Sequence, residues 1–458
     1  NAQGDWINQR DPNYESWQPI GGKDTPDGIF QTRSRGLSTG RDAWVYSYSL
    51  PKLVNRMQTM VEFYNQQATQ GILPDPLDPT KFSWNRADKA NVKRHRTYDL
   101  NMGRLYTSTY RPFVKQHVYF DRELNDMVYG LYDCFPTPGH DNIGFIAIAP
   151  RADIGGFAVL AVNSLPDLSF YTYTGQFFPR WTWEPVGGRH AAESGMLDLS
   201  GGEDAEESGT NVGQEAEVLG GYHRVDNITD ATLHSYQAAY GPEVTKDDIF
   251  YYVYALLHSP DYRTRYGADL KKSLPHIPLV ASREDFVAFT TAGRGLADLH
   301  LDYESVDPTP LSLVVDGKEV PWDLRETISP SLLHVEKMRY DRLLRDGKKQ
   351  DDKTSIIYNE HVTISGIPAQ AQDYLLGSRS GLDWLLERYR VSTDKASGII
   401  KDPNDWMAEG AGGGPTASAQ PRYLLDLIAR ITTVSVRTQK IVNSLPPLDV
   451  LPAGNHTK

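Results

Sequence analysis

Cysteine is almost missing from this sequence: Cys134 stands alone among 458 residues. A disulfide within the chain is thereby excluded, and so is a zinc site built on several cysteines. Cytoplasmic residence fits that usage. No apolar run approaches the roughly 20 residues that cross a bilayer, so no membrane partner is expected. The polar opening Asn-Ala-Gln-Gly-Asp-Trp has none of the marks of a secretory signal. It also lacks an initiator Met, which leads to the expectation that the chain is a fragment of a longer protein.

Catalytic motifs are missing as well. A phosphate cradle needs Gly-x4-Gly-Lys-Ser/Thr, and the nearest stretch, Gly267 to Ser273, has no second glycine. The base-gripping loop of an adenine methyltransferase needs two consecutive prolines after Asn or Asp. Asp11-Pro-Asn-Tyr14 and Ser259-Pro-Asp-Tyr262 each have one. Gly36-Leu-Ser-Thr-Gly40 matches the pattern of a hydrolase nucleophile elbow, but arginines rather than a buried strand precede it. A loop turn is the better reading of Ser38. The 12 histidines include no His-x3-His or His-Glu-x2-His spacing, so no metal ligands are assigned. His258, inside an apolar run, is expected to be a helix-end histidine bonded to the following turn.

What is present is charge, unevenly spread. Lys and Arg number 47 against 59 Asp and Glu, a net charge of −12, which by itself argues against a general nucleic-acid coat. Between Arg86 and His117, however, lie Arg86, Lys89, Lys93, Arg94, Arg96, Arg104, Arg111 and Lys115, opposed only by Asp88 and Asp99. Acidity concentrates instead at Glu203, Asp204, Glu206, Glu207, Glu215 and Glu217. Tyr106 and Tyr110 interleave with the basic stretch. Arginine and lysine neutralise phosphates, and arginine can also read guanine edges through two parallel hydrogen bonds. A second basic cluster comprises Arg263, Arg265, Lys271 and Lys272. The plainer reading of both clusters is a solvated surface with scattered ion pairs.

Periodicity predicts an α+β fold. Residues 1–50 read as loops and short strands. Pro51 opens a helix with Leu53, Met57, Met60, Val61 and Tyr64 on one face, and Pro74, Pro76 and Pro79 then break the chain. Strands are expected over 110–121, 143–149 and 156–162, and a long mobile loop over 187–221. Thr245 with Asp248, and Ser282 with Asp285, mark helix starts. Asp316-Gly317 joins a tight hairpin, Ser329-Pro330 begins another helix, and Gly410–Gly414 links to a final one bearing Leu424, Leu427, Ile431 and Val434.

Several stretches are similar to the C-terminal region of Type I single-polypeptide (Type ISP) restriction-modification enzymes, a family often labelled DEAD/DEAH-box helicases. Gly4-Asp-Trp-Ile-Asn-Gln-Arg10 and Ser38-Thr-Gly-Arg-Asp-Ala-Trp-Val-Tyr46 resemble the end of the family's methyltransferase domain. Ser108-Thr-Tyr-Arg-Pro-Phe113 with Val118-Tyr-Phe-Asp121 resembles the opening of its target recognition domain. The stretch from Ile249 to Arg263, continuing through Leu274–Leu279 and Leu296–Leu301, is the longest match. Arg388–Val391, Ser397–Ile399 and Asp402–Trp406 extend it. Val114 and Lys115 depart from the Asp-x-Arg usual after Arg-Pro-Phe.

The resemblance implies a parent with a nuclease, an ATP-driven translocase and an adenine methyltransferase, using ATP, magnesium and S-adenosylmethionine. The chain itself would hold no catalytic residue, metal or cofactor; it would be the module that recognises a specific site in duplex DNA. The division expected is a residual methyltransferase edge over 1–96, a strand-rich recognition domain over 97–330 with helices at 246–300, and a mainly helical subdomain over 331–458. Its partners would be duplex DNA and the parent's other domains. Lys93, Arg94, Arg96, Arg104, Arg111, Lys115, Arg263 and Arg265 are the candidate DNA contacts. Two rival readings are a free-standing hydrolase using Ser38 and a protein-interaction scaffold.

Overall fold

The computed structural model describes residues 10–21, 27–151, 156–187, 218–345, 347–409 and 418–452. Nearly all of the expected 187–221 loop, its acidic cluster, and the Gly410–Gly414 link lie outside these residues.

The first long helix is Leu50–Gln70. Ser49 caps it, its side chain accepting from the Lys52 amide at 3.1 Å, and Pro51 occupies the first turn where no amide partner is needed. Leu53, Met57, Met60, Val61, Tyr64 and Ala68 recur at spacings of three and four and are buried. Gly71 ends the helix at φ 70°, and a Cβ there would come within 2.4 Å of the His95 ring. The close approach accounts for glycine.

Strand Leu105–Arg111 pairs antiparallel with Val114–Tyr119, which also pairs with Tyr46–Ser47; Leu165–Pro166 runs parallel along the other edge. The expected single strand over 110–121 is therefore a hairpin corner. Phe113 turns at φ 61° and is buried against Tyr303 at 5.2 Å. A second four-stranded sheet runs Ser34–Arg35, Gly175–Pro179, Gly144–Ile148, Val159–Val162. Its last three strands are buried at every position, which explains the continuous apolar text of Gly144–Ile148 and Val159–Val162. A three-stranded sheet contains Trp181–Pro185, Tyr222–Asp226 and Val218–Leu219.

The helix Lys246–Leu256 begins with the expected capping box of Thr245 and Asp248. Ile249, Phe250 and every residue from Tyr252 to Leu256 are buried, so this is an interior helix rather than an amphipathic one. Its tyrosine hydroxyls are satisfied across the core: Tyr252 donates to the Pro278 carbonyl at 2.6 Å, and Tyr254 accepts from the Ala161 amide at 2.8 Å. Helix Arg283–Leu301 lies against it so closely that a Cβ on Gly293 would meet the Tyr251 carbonyl oxygen at 1.9 Å. The final helix, Tyr423–Asn443, is fastened to it by His300, which bonds both Tyr254 (2.5 Å) and Thr438 (2.9 Å). His258 is buried too, but it bonds the preceding turn, at the Tyr254 carbonyl, rather than the following one.

The α+β class holds. Helices Gly381–Arg388 and Tyr423–Asn443 carry the helical character expected after residue 331. The same stretch also supplies Arg339–Arg345, Lys348–Ile357 and Val362–Ser365 to a five-stranded sheet completed by the hairpin Ser312–Val315 and Lys318–Val320. The two strands of the 339–357 hairpin are rich in charge because its far end is exposed, which hides their alternation. Ser329-Pro330 starts only a short turn of 3-10 helix, Pro330–Leu333.

Packing crosses the expected boundary at 96. Strand Gln18–Pro19 pairs with His276–Ile277, and Ser34–Arg35 with Gly175–Pro179. The core around helix Leu50–Gln70 also includes Leu382, Trp384 and Leu424.

Candidate nucleic-acid interface

The basic stretch is built on a short helix, Arg86–Lys93, whose capping box joins Asn85 and Asp88. Asp88 faces inward and is fully buried. It holds the Arg41 guanidinium at 2.7 Å and accepts from the Tyr98 hydroxyl at 2.9 Å. One carboxylate thus completes the helix's capping box, neutralises a buried cation and fastens the following loop at Tyr98. The arginines flanking it on the helix surface are consequently turned to solvent.

The turn after the helix is tied down as firmly. His95 adopts φ 57° against Gly71, and Tyr64 donates to the Arg96 carbonyl at 3.0 Å. Asn65 makes two hydrogen bonds to the Tyr98 backbone, at 2.8 and 2.9 Å, and the Tyr64 and Tyr98 rings stack at 4.3 Å. Helix Leu50–Gln70 is therefore the platform, and Lys93, Arg94 and Arg96 project from a braced backbone.

A cleft of about 800 Å³ opens beside this turn. Arg86, Arg94, Arg96 and Arg122 line it, with Asn85 and Asn91 as further donors and Glu123 and Asp126 as the opposing carboxylates. Arg96 is ion-paired to Glu123. Arg86 and Arg94 have no ion pair among the described residues, and the Arg122 guanidinium lies over the Tyr132 ring at 4.7 Å. A larger groove of about 1120 Å³ adjoins it, sharing Arg122 and Glu123. Arg104, Tyr132, Trp183 and Tyr222 line that groove. Asp121, Glu123 and Asp133 offset its cations, so positive charge is concentrated on the helix side.

The family description "Type ISP C-terminal specificity domain" matches residues 28–427. The chain belongs to this family. The matched span takes in 28–96, most of the stretch expected to be a methyltransferase edge. Three solved structures are similar over 98% of the chain: the ATP-dependent Type ISP restriction-modification enzyme LlaBIII bound to DNA (29% identity, TM-score 0.78), a nuclease-deletion mutant of the Type ISP enzyme LlaGI in complex with a DNA substrate mimic (29%, 0.74), and a DrdV–DNA complex (27%, 0.74). The chain spans 25%, 36% and 40% of those chains. No curated protein matches.

Within this specificity domain the eight candidate contacts separate. Arg94 and Arg96 are exposed and line the cleft, Lys93 is exposed at the end of the adjacent helix without lining it, and Arg104 is half-buried in the adjoining groove with Asp121 at 4.0 Å and Tyr132 at 5.2 Å. Arg111 is buried, bonded to Asp167 at 2.6 Å, and serves the interior. Burial pushes the Asp167 carboxyl up to about 6, against the pull of Arg111. Lys115 is ion-paired to Glu304 and partly covered. Arg263 is half-buried and donates to the Leu257 carbonyl at 2.7 Å; Arg265 pairs with Asp11 at 3.3 Å. Neither lines the cleft.

Arg122, Tyr132, Trp183 and Tyr222 were not among the candidates. Arg122 had a readable signal, since it follows Asp121 directly in a family-like stretch. The aromatic wall had none, because Trp183 and Tyr222 meet only through the pairing of their strands. Ser38 sits in a loop, donating to Asp126 at 3.2 Å, and no histidine accompanies it among the described residues. No nucleophile is assembled there.

Proposed function

We propose that this specificity domain recognises a particular site in duplex DNA for a longer single-polypeptide restriction-modification enzyme, and that the cleft beside helix Arg86–Lys93 grips the phosphate backbone. The observation that carries this reading is the set of braced, solvent-facing arginines with few local partners. Arg86, Arg94, Arg96 and Arg122 converge on one open cleft of about 800 Å³, and arginines so placed can contact phosphates. The DNA complexes of LlaBIII, LlaGI and DrdV support it. Cleavage, ATP-driven translocation and adenine methylation, with ATP, magnesium and S-adenosylmethionine, belong in this reading to the parent's other domains. The cytoplasm, where DNA is accessible, is its place of action.

Fluorescent duplex binding by the chain as it stands tests the cleft. The triple variant R86A/R94A/R122A should lower affinity tenfold or more. Its dependence on log salt should flatten by about 0.9 for each phosphate no longer neutralised. Unchanged affinity and unchanged salt slope would remove the cleft from this reading. Absence of any salt-dependent duplex binding would favour the scaffold alternative.

A further inference from the structure

A third, smaller cavity of about 120 Å³ lies at the other end of strand Leu105–Arg111 from Arg104. At about 3.3 Å per residue the two ends stand roughly 20 Å apart. Its walls come from the end of helix Gly381–Arg388, the short hairpin Ser392–Thr393 and Ile400–Lys401, and the paired strands that carry Tyr110 and Gln116.

Cations outnumber carboxylates around it. Arg388 and Arg390 line the cavity with Lys401, against one lining carboxylate, Glu387. Glu387 is itself divided between Arg379 (2.8 Å) and Arg388 (3.0 Å). The Lys401 amine has no hydrogen bond or ion pair among the described residues and lies 5.5 Å from the centre of the Tyr110 ring. The buried Nε–H donors of Arg388 and neighbouring Arg111 lack hydrogen-bond partners. Asp42 and Asp167 also face this region, but they are engaged with Tyr110 (3.0 Å) and Arg111 (2.6 Å). Burial holds Lys401 and Arg388 below their ordinary values, and repulsion from Arg111 adds to it in both cases. Unpaired donors concentrated in a half-covered space are stabilised when an anion enters.

We propose that the cavity walled by Tyr110, Gln116, Arg388, Arg390, Ser392 and Lys401 is a binding site for a single tetrahedral oxyanion of the phosphate class. The oxyanion is either a free ion or one backbone phosphate of a nucleic acid. Arg388, Arg390 and Lys401 supply the charge, and Ser392 is placed to add a neutral donor. The site does not depend on the cleft's role in DNA binding.

Thermal unfolding of the chain in inorganic phosphate, with sodium chloride at matched ionic strength as control, tests the free ion. A saturable rise in Tm is expected from phosphate and not from chloride, because a ligand bound only to the folded state stabilises it. Lys401→Met keeps the aliphatic stem and should abolish the rise without lowering the starting Tm. Arg390→Ala, an exposed position, should weaken the rise and guards against a folding defect in the first variant. The second arm is the salt slope of duplex binding. A Lys401→Met slope reduced by about 0.9 identifies a backbone phosphate as the source, and an unchanged slope with no remaining phosphate effect on Tm identifies the free ion. If Lys401→Met alters neither the phosphate-dependent Tm nor the slope, the site does not exist.

Discussion

Arg94 and Arg111 belong to the same basic stretch of sequence and occupy opposite environments. Arg94 stands exposed on a braced turn at the rim of a cleft with no ion pair among the described residues. Arg111 lies in the interior, bonded to Asp167. Asp88, one helical segment away, belongs with Arg111: it is buried and holds Arg41. The difference is one of exposure rather than residue type. A buried guanidinium must have its carboxylate, since an unmatched charge in the interior is strongly unfavourable. An exposed one keeps its hydration and remains available to a phosphate. Basic density in a sequence therefore combines two populations, and only the second can bind DNA.

The contrast can be tested hardest from the inside. Arg111→Ala or Asp88→Ala should destabilise the fold by about 3–5 kcal/mol, because each leaves a buried charge unmatched. Urea unfolding measures this. The double variant Arg111→Met/Asp167→Leu should recover most of the loss, since it removes both charges together. A single variant as stable as the parent would erase the distinction between the two populations. Asp88→Ala should also weaken duplex binding, because the helix that presents Arg86 and Arg94 loses half of its capping box and its anchor to Arg41 and Tyr98.

A pH series sharpens the same point with a different buried group. Burial lowers His300 to about 3, well below the ordinary histidine value of 6.5. The unfolded chain then binds a proton that the folded chain refuses. This stabilising contribution is complete above pH 6.5 and is lost as pH falls below it, at about 1.4 kcal/mol per unit. His300→Gln should flatten the acid limb of stability against pH by that slope; an unaltered limb would show that His300 is accessible. His117, lowered to about 4 by burial, acts with the same sign, whereas Asp167 opposes them.

At the surface the expected effects shrink and change kind. Arg94→Ala should leave stability within about 0.5 kcal/mol and lower duplex affinity by a few fold, read in a binding titration. Smallest of all, Glu123→Gln removes an exposed ion pair of the kind that contributes about 0–1 kcal/mol. It should strengthen duplex binding slightly by freeing Arg96. Weaker binding in that variant would mean that Glu123 orients Arg96 rather than competing for it.

Much of the frame was legible in one dimension, because its signals are local. The Pro51 helix start, the Thr245 and Ser282 caps, the Asp316-Gly317 hairpin and the three-and-four spacing of helix Leu50–Gln70 each depend on residues a few positions apart. The basic stretch was legible for the same reason, and so were the family-like segments. Tertiary structure alone decided which arginines turned outward, because that depends on Asp167 reaching Arg111 and Arg41 reaching Asp88, over separations of 56 and 47 residues. It also decided that Trp183 and Tyr222 would form a wall beside Arg104, and that Arg388 and Lys401 would meet Tyr110 around a single cavity. Local chemistry is written in neighbouring letters, whereas exposure and charge balance belong to whatever the folded chain brings alongside.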